Sequence, residues 1–383
     1  MLSKKLKKYL DDHYNEMVSL LERVVNIDSG SACKKGIDQI ADIMLDEFEK
    51  EGFEPEVLHH ENCGNGLIVR KKGTEKQLLM ICHLDTAFPD GTAAKNPFRI
   101  DGKIATGPGV EDMKSCFVGC LYAWKALHAL EVKNLPSVAV LFSGDEETGS
   151  HAVKEDIIKE GKKANWCIVT EGARENGAIV IGRKGNTYIH VTAKGRAVHA
   201  GIEPQKGGNA IEELALKIVK LRRLNDYENG ASVTVTMIHG GENRIVVAEH
   251  AEMDIDLRYQ EKEQGERLIR EVKAILDHSE IENVHISYTL TMNRPPLTQV
   301  PGSLKLQELT RQISDELGIP YLTAMTGGVS DGNFVADLGI PTIDGMGPVG
   351  GLMCSPEEYL NLDTWAERTA RMAAVIAGLS RLE

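Results

Sequence analysis

The sequence predicts an α/β fold in which a mostly parallel sheet forms the larger domain and a smaller α+β domain is inserted into it. Three observations support this prediction. Four short apolar runs alternate with helical periodicity in the first half of the chain. From residue 188 the predicted elements follow a different order, and the 383 residues exceed the size at which one hydrophobic core keeps growing.

The first half of the larger domain begins with helical periodicity. Apolar residues recur at helical spacing through 20–25 and 40–48, which predicts two amphipathic helices in the first fifty residues. A further helix is predicted over 114–130. The four apolar runs have the length and composition of strands that are buried on both faces of a parallel sheet, and they cover 66–70, 78–82, 138–142 and 167–170.

The inserted domain is predicted from the order strand, helix, strand, strand, helix, strand, which is that of a split βαβ, ferredoxin-like sandwich. Asn293-Arg294-Pro295-Pro296 then interrupts the pattern, and two more helices follow over 304–317 and 364–382. We therefore predict a larger domain over 1–183 and 294–383 and an inserted domain over 184–293. The elements of the inserted domain cover 188–193, 209–221, 233–238, 251–258, 265–276 and 285–290.

Composition excludes several classes of partner. The net charge of -13 and the pI of about 5.5 disfavour nucleic acid, whose phosphates would be repelled. No run approaches the ~20 consecutive apolar residues of a membrane span, and the N-terminus lacks the apolar stretch of a signal peptide. The seven cysteines are scattered without CxxC spacing, as is typical of reduced thiols. We expect a cytoplasmic protein with no nucleic-acid or membrane partner.

Four places in the larger domain carry potential metal ligands, each just after a predicted strand or in a glycine-rich loop. Taken singly, each has an ordinary alternative, such as a turn histidine, an aspartate that caps a helix or an exposed acidic turn. Together they indicate a site for zinc, manganese or cobalt. The spacing of Cys82-His83-Leu84-Asp85-Thr86 would let Asp85 orient a ligating imidazole. The four places supply His83, Asp112, Glu146 with Glu147, and Glu171.

The order and spacing of these motifs resemble a known family over essentially the whole chain. It is the dizinc metallopeptidase family of glutamate carboxypeptidase, aminoacylase and succinyl-diaminopimelate desuccinylase, and the glutamate carboxypeptidase branch is the most similar. The resemblance is carried by His83-Leu84-Asp85-Thr86, Gly107-Pro108-Gly109-Val110 with Asp112-Met113-Lys114, Asp145-Glu146-Glu147-Thr148-Gly149-Ser150 and Gly327-Gly328-Val329-Ser330-Asp331-Gly332-Asn333.

The resemblance implies two divalent metal ions, which we expect to be zinc. It implies that Asp112 bridges both ions, that His83 and Glu171 complete one site, and that Glu147 ligates the second ion. Glu146 would be the general base that takes a proton from the attacking water, and Asp85 would orient the histidine.

In the inserted domain the resemblance implies a homodimer. His199, in Gly195-Arg196-Ala197-Val198-His199-Ala200-Gly201, would reach the partner's active site and stabilise the oxyanion, and Asn243, Arg258 and Arg294 would hold the substrate. Other interpretations stay open. His199 could be a structural histidine at a strand end, Arg258 a surface ion-pair residue, and Arg294 a hinge residue before two prolines.

One position departs from the family pattern. Cys354 lies where the family has its last metal-ligand histidine, so a thiolate ligand and an empty second site are both open. The predicted activity is hydrolysis of a peptide or N-acyl amide bond next to a carboxylate-bearing residue, on a small peptide or an N-acyl amino acid. The alternative is a weakened or non-catalytic relative that binds a metabolite or partner. Peptidase and deacylase activity are not separated by the sequence.

Overall fold

The structure is a computed structural model, and it describes residues 1–382. The α-helices are α1 (Leu2–Asp12), α2 (Tyr14–Val25), α3 (Lys34–Lys50), α4 (Thr92–Lys95), α5 (Ser115–Ala129), α6 (Lys154–Gly161), α7 (Ala210–Leu221), α8 (Lys262–Leu276), α9 (Ser303–Leu317), α10 (Gly332–Ala336) and α11 (Trp365–Gly378). The strands are β1 (Glu54–Leu58), β2 (Gly66–Lys71), β3 (Thr74–His83), β4 (Arg99–Asp101), β5 (Ile104–Thr106), β6 (Pro136–Ser143), β7 (Trp166–Val169), β8 (Ile179–Arg183), β9 (Gly185–Lys194), β10 (Ser232–Gly240), β11 (His250–Tyr259), β12 (His285–Arg294), β13 (Thr323–Thr326), β14 (Thr342–Ile343), β15 (Gly350–Gly351) and β16 (Tyr359–Asn361).

The chain forms two compact units. The larger comprises Met1–Gly182, Gln299–Thr326 and the chain from Ser330 onward, and the smaller comprises Arg183–Thr298 with Gly327–Val329. The elements predicted for the inserted domain all lie in the smaller unit. That this unit is an independent domain with a role in dimerisation stays a prediction.

The main sheet of the larger unit has six strands in the order β1-β2-β6-β3-β7-β14. The pairs β6/β3, β3/β7 and β7/β14 are parallel, whereas β2 runs antiparallel to both β1 and β6. This confirms the predicted mainly parallel α/β sheet. A two-stranded sheet, β13-β8, and a four-stranded one, β15-β16-β5-β4, accompany it.

The buried parts of the central strands are apolar because both faces of the sheet are covered there. In β3, Leu78 and Met80 belong to the core under α1, α2, α3, α5 and α11, whereas Leu79 and Ile81 belong to a second core that includes residues of α6 and α10. Burial of each such side chain contributes about 1.5–3 kcal/mol. This two-sided burial fixes the carboxyl ends of the strands, where the candidate ligands lie.

The N-terminal region differs from the prediction of two helices over the first fifty residues, because it contains three. α1 ends and α2 begins at His13, which has a φ of -106° and a ψ of 14°. No glycine or proline lies at this junction, so the hydrophobic periodicity gave no sign of the break.

The smaller unit has the predicted order β9, α7, β10, β11, α8, β12. Its strands form an antiparallel sheet in the order β10-β11-β9-β12, and α7 and α8 share a core with it. Asn209 caps α7 by accepting hydrogen bonds from the backbone of Ile211 and Glu212. β10 and β12 are the edge strands of this sheet.

Among residues 1–382, no helix is both long enough and apolar enough to span a membrane. All seven cysteines are free thiols, and four of them are buried.

Candidate metal centre

Three parallel strands bring candidate ligands to one edge of the main sheet. β3 ends at His83, which is opposite Ser143, the last residue of β6. β6 leads into the single 3₁₀ turn Glu146–Thr148, and β7 ends at Val169, two residues before Glu171. The carboxyl ends of neighbouring parallel strands are the usual ligand-binding edge of an α/β sheet.

Asp112 reaches this edge from the loop between β5 and α5. The loop approaches the chain after β3 so closely that a Cβ at Gly109 would lie 2.4 Å from Cγ2 of Thr86. Gly109 also has a φ of +71°, which L side chains rarely adopt. A glycine is therefore required for the approach that places Asp112 beside β3.

The side chains of His83, Asp112 and Glu147 converge. Each offers one ligand atom, and these atoms all lie within 4.8 Å of one another. His83 Nε2 is 3.1 Å from Oδ1 of Asp112 and 3.6 Å from Oε1 of Glu171. The structure thus brings four of the five predicted metal ligands to one place.

The orientation of His83 leaves Nε2 as its ligand atom. Nδ1 lies 2.9 Å from the backbone carbonyl oxygen of Asp85, and because a carbonyl only accepts, Nδ1 carries the proton. Nε2 then faces the carboxylates of Asp112 and Glu171, and in the neutral ring it would offer its lone pair to a cation bound between them. A metal-binding histidine usually donates a hydrogen bond from the ring nitrogen that does not bind the metal.

The charges of this cluster perturb one another. Burial away from water and the nearby Asp112 carboxylate raise the pKa of Glu147 to about 8. Burial disfavours the charged form of His83, but its hydrogen bonds to Asp112 and Asp85 outweigh that effect and hold the pKa well above its ordinary value. Carboxylates crowded in this way attract positive charge.

The cluster fits a divalent cation by a direct test. Glu147 Oε1 is buried and has no hydrogen-bond partner within residues 1–382, although the carboxylate of Glu147 lies beside His83 and Asp112. A buried carboxylate oxygen without a partner costs free energy unless an ion or another group satisfies it. Imidazole nitrogen and carboxylate oxygen are the donors that zinc and similar ions take in proteins.

The carboxylate of Asp85 holds the turn that carries Glu146 and Glu147. Its two oxygens accept the backbone N–H groups of Glu146 at 3.0 Å and Glu147 at 3.1 Å, and the hydroxyl of Ser31 donates to it at 2.7 Å. The carboxylate is 3.5 Å from Nδ1 of His83, farther than the backbone carbonyl. Position in the sequence could not show this contact with the acidic turn, which lies some sixty residues away.

Cys354 also lies at the cluster. Its Sγ is 3.7 Å from Oδ2 of Asp112. Partial burial of the thiol and the carboxylates of Glu147 and Asp112 raise the pKa of Cys354. The backbones of Leu352 and Cys354 have φ values of 54° and 60°, a left-handed conformation that costs non-glycine residues about 1–2 kcal/mol each. Such strain concentrates at functional sites.

Glu358 joins the loops of Asp112 and Cys354, and sequence reasoning gave it no role. Its carboxylate accepts the backbone N–H groups of Glu111 at 2.8 Å, Asp112 at 3.0 Å and Cys354 at 3.2 Å. The only signal in the sequence is its place in the segment Ser355-Pro356-Glu357-Glu358-Tyr359, four residues after the cysteine.

The remaining predicted residues belong to the smaller unit. His199 is exposed, and its Nδ1 accepts the N–H of Gly201. Its segment forms a bridge to Val246, which brings it next to the loop of Asn243. Asn243 is exposed and borders a cavity of about 610 Å³.

The two predicted arginines differ in their surroundings. Arg258 makes a bidentate pair with Asp256, from Nε at 2.9 Å and Nη2 at 2.9 Å. Arg294 is 2% exposed, and its backbone N–H donates to Asn186. The pair of Arg258 agrees with the interpretation of this residue as an ion-pair residue, whereas Arg294 is a buried cation next to two prolines.

Comparison with solved structures shows the same fold. A tripeptidase from Staphylococcus aureus superposes with a TM-score of 0.79 at 17% identity, over 95% of this chain and 98% of that one. An M20 family metallo-carboxypeptidase from Sulfolobus solfataricus gives a TM-score of 0.78 at 18% identity, over 96% and 100%. A dinuclear metal-binding M20 peptidase from Bacillus subtilis gives 0.67 at 15%, over 97% and 100%.

Comparison of sequences identifies the family. Carboxypeptidase G2 of a Pseudomonas strain is 26% identical over 376 residues, which cover 96% of this chain and 90% of that protein. A succinyl-diaminopimelate desuccinylase of Paraburkholderia xenovorans is 27% identical over 343 residues, 84% and 88% of the two chains. The family model described as Peptidase family M20/M25/M40 matches residues 79–378, well over half of the chain. The chain therefore belongs to this peptidase family and is a metal-dependent hydrolase of amide bonds.

Proposed function

We propose that this protein cleaves a peptide or N-acyl amide bond next to a carboxylate-bearing residue and uses two divalent metal ions, zinc by preference. The observation that carries the proposal is the convergence of His83, Asp112 and Glu147, the last of which has a buried carboxylate oxygen without a hydrogen-bond partner in the described residues. Small peptides and N-acyl amino acids are the proposed substrates. The names of the relatives, a carboxypeptidase and a desuccinylase, support both classes.

Five residues are proposed to hold the ions. Asp112 would bridge them, His83 and Glu171 would complete one site, and Glu147 and Cys354 the other. When bound, the ions would polarise the scissile carbonyl and make the attacking water more acidic. The nitrogen and oxygen donors suit zinc, and a thiolate would strengthen that preference over manganese.

Glu146 is the proposed general base. It would accept a proton from the attacking water as the new C–O bond forms, and would then pass that proton to the nitrogen of the departing amine as the amide C–N bond breaks. Its position beside Glu147 is fixed by the two backbone hydrogen bonds to Asp85. A backbone held in this way limits the positions that the side chain of Glu146 can take.

The substrate is proposed to present its carboxylate to the smaller unit, through Asn243, Arg258 and Arg294. A guanidinium fork binds a carboxylate with two parallel hydrogen bonds. The fork of Arg258 already pairs with the carboxylate of Asp256.

A homodimer formed through the smaller unit is also proposed. β10 is an edge strand, and Met237 and Ile238 on it are 51% and 46% exposed. Val219 on α7 is 57% exposed. An apolar, unpaired strand edge favours association with a second chain. In that dimer His199 would donate to the oxyanion in the partner's site.

Replacement of Glu146 tests the proposed mechanism. Glu146→Gln should lower kcat by about 10²–10⁴-fold while bound metal and folding stay unchanged, since the residue moves protons and does not ligate. Metal content by mass spectrometry and hydrolysis of N-acyl amino acids and dipeptides give the two readouts. Glu155→Gln, an exposed glutamate on α6, is the matched control. A Glu146 variant with most of the wild-type turnover would remove this residue from the mechanism.

Mixing of variants tests the dimer. His199→Ala and Glu146→Ala proteins should each be inactive, and hybrid dimers should recover part of the activity because each holds one intact site. Native mass spectrometry would establish that subunits exchange. A mixture that exchanges subunits and stays inactive contradicts the role of His199 across the interface.

The weakened or non-catalytic alternative rests on Cys354 alone. It predicts that the protein binds a metabolite or partner and hydrolyses the peptides and acyl amino acids in the panel above weakly or not at all. Retention of Glu146 favours the catalytic proposal, because a binding protein has no need of a general base beside its ligands.

A further inference from the structure

A second cavity lies against the metal centre in the larger unit. It has a volume of about 510 Å³ and is lined by the segments 30–33 and 86–90, with Glu147 and Thr148 at one side. Glu147 is also a member of the metal cluster, so the cavity and the cluster share a wall. Its volume is within the ~300–1,000 Å³ range of small-molecule sites.

Backbone hydrogen bonds join the two segments. Thr86 N–H donates to Ser29 at 2.8 Å, and Ser31 N–H donates to the carbonyl of Thr86 at 3.2 Å. A Cβ at Gly30 would lie 2.1 Å from the carbonyl oxygen of Phe88, so only glycine permits this approach. The shape of the cavity is therefore set by main-chain packing.

The far end of the second segment is also fixed. The carboxylate of Asp28 accepts the backbone N–H groups of Gly91 at 2.9 Å and Ala93 at 2.8 Å. With the Ser31 hydroxyl bound to Asp85, the same framework holds both the cavity and the turn of the proposed general base. A group bound in the cavity would thus have a fixed position relative to the catalytic turn.

The lining favours an uncharged group over an anionic one. It contains apolar side chains from Ala32, Ala87, Phe88 and Pro89 and no lysine or arginine, and its charged members, Asp90 and Glu147, are both acidic. Under the proposed function Glu147 is compensated by the metal ion that it binds, so a carboxylate here would lie among apolar side chains and beside Asp90, with no lysine or arginine to pair with. Under the proposed function the carboxylate of the substrate belongs to the part that leaves as the amine. The cavity is therefore available for the other part of the substrate, the acyl group.

We propose that this cavity is the subsite for the acyl group of the substrate and that it selects an uncharged, largely apolar group. The assignment rests on the proposed function and adds the class of acyl group to it. An N-succinyl amino acid should then be a poor substrate, although some relatives of similar identity are desuccinylases.

Two substrates with the same amine side test the subsite. Wild-type protein should hydrolyse N-phenylacetyl-glutamate with a kcat/KM at least about tenfold above that for N-succinyl-glutamate. Ala32→Lys, which places a cation on the exposed cavity wall, should reduce this ratio by a similar factor. Ala94→Lys, an equally exposed change outside the lining, should leave the ratio unchanged.

Labelling of Cys33 gives a readout that does not need turnover. Cys33 lines the cavity, whereas Cys63 is similarly half-buried and lies outside the lining. In the Glu146→Gln protein, N-phenylacetyl-glutamate should slow the reaction of Cys33 with N-ethylmaleimide severalfold and leave Cys63 unaffected, and N-succinyl-glutamate should protect neither.

The outcomes separate the two proposals. If wild-type protein hydrolyses neither compound and no other acyl amino acid or dipeptide, the proposed function is refuted and the subsite with it. If it hydrolyses both compounds equally, or if both protect Cys33 alike, the activity stands and the apolar acyl subsite is refuted.

Discussion

Asp85→Asn separates two ways in which this aspartate could serve the metal centre. From its spacing in the sequence, its carboxylate would orient His83. In the structure that carboxylate accepts the backbone N–H groups of Glu146 and Glu147, while the backbone carbonyl of residue 85 receives Nδ1 of His83. An asparagine keeps the backbone carbonyl, but its single side-chain oxygen cannot receive both N–H groups, since the amide nitrogen is a donor.

The size of the effect follows from the bond that is lost. Hydrogen bonds to a charged group contribute about 1.5–3 kcal/mol, and Asp85 is fully buried, so no water replaces its oxygen. We expect Asp85→Asn to lower the free energy of unfolding by about 2–3 kcal/mol. A displacement of Glu146 by ~1 Å would lower kcat about 10²-fold. Metal affinity should change little, because His83 keeps its partner.

The assay combines denaturant unfolding, bound metal and kcat at saturating metal. Ser31→Ala is the matched control, because it removes a 2.7 Å bond to the same carboxylate and leaves both backbone bonds in place. It should cost about 1.5–3 kcal/mol and lower kcat much less than Asp85→Asn does, because both backbone bonds to the turn remain. If Asp85→Asn loses metal and excess metal restores its full kcat, the carboxylate acts through His83 and the reasoning is wrong.

Three further changes have defined outcomes. Cys354→His should retain two bound ions and move the pH–rate profile to lower pH, because a neutral ligand replaces a thiolate; a rise from one bound ion to two would show that Cys354 is no ligand. Arg294→Lys should raise KM, because a guanidinium that can bind the substrate carboxylate with two hydrogen bonds is replaced by an ammonium point charge. Equal activity on substrates whose carboxylate is amidated would contradict the binding of the carboxylate by Arg294. Arg371→Met should leave Tm unchanged or raise it, since the guanidinium of Arg371 is 0% exposed and none of its nitrogens has a hydrogen-bond partner within residues 1–382. A fall in Tm of several degrees would refute that account.

The predictable parts of the fold are those in which burial is visible as a run of apolar residues. The runs at 66–70, 78–82, 138–142 and 167–170 became β2, β3, β6 and β7, because strands buried on both faces are apolar throughout. Strands at the edges of the sheets have no such apolar run. β1 is largely exposed, and β14 and β15 have two residues each, so neither periodicity nor composition indicated them.

The candidate metal centre likewise has features that the sequence predicts and features that it does not. The convergence of His83, Glu147 and Glu171 was predictable because they lie at or just after the ends of strands whose carboxyl ends meet at one edge, whereas their roles as ligands stay a prediction. The contacts that hold them are not local. Glu358 reaches Asp112 across 246 positions, and Ser31 reaches Asp85 across 54, and no pattern of spacing within one segment encodes such pairs.

Close packing between loops sets the separation of the candidate ligands. The buried side chain of Glu111, next to Asp112, fills a slot between two glycines. A Cβ at Gly172 would lie 1.6 Å from its Oε1, and a Cβ at Gly350 would lie 2.3 Å from its Cγ. Gly172 directly follows Glu171, and Gly350 begins the loop of Cys354. Three loops, each with one candidate ligand, therefore meet around the side chain of Glu111. This side chain fits only because Gly172 and Gly350 have no side chains. The spacing of Asp112, Glu171 and Cys354 depends on residues that have no ligand atoms, which is why the ligands alone do not specify the centre.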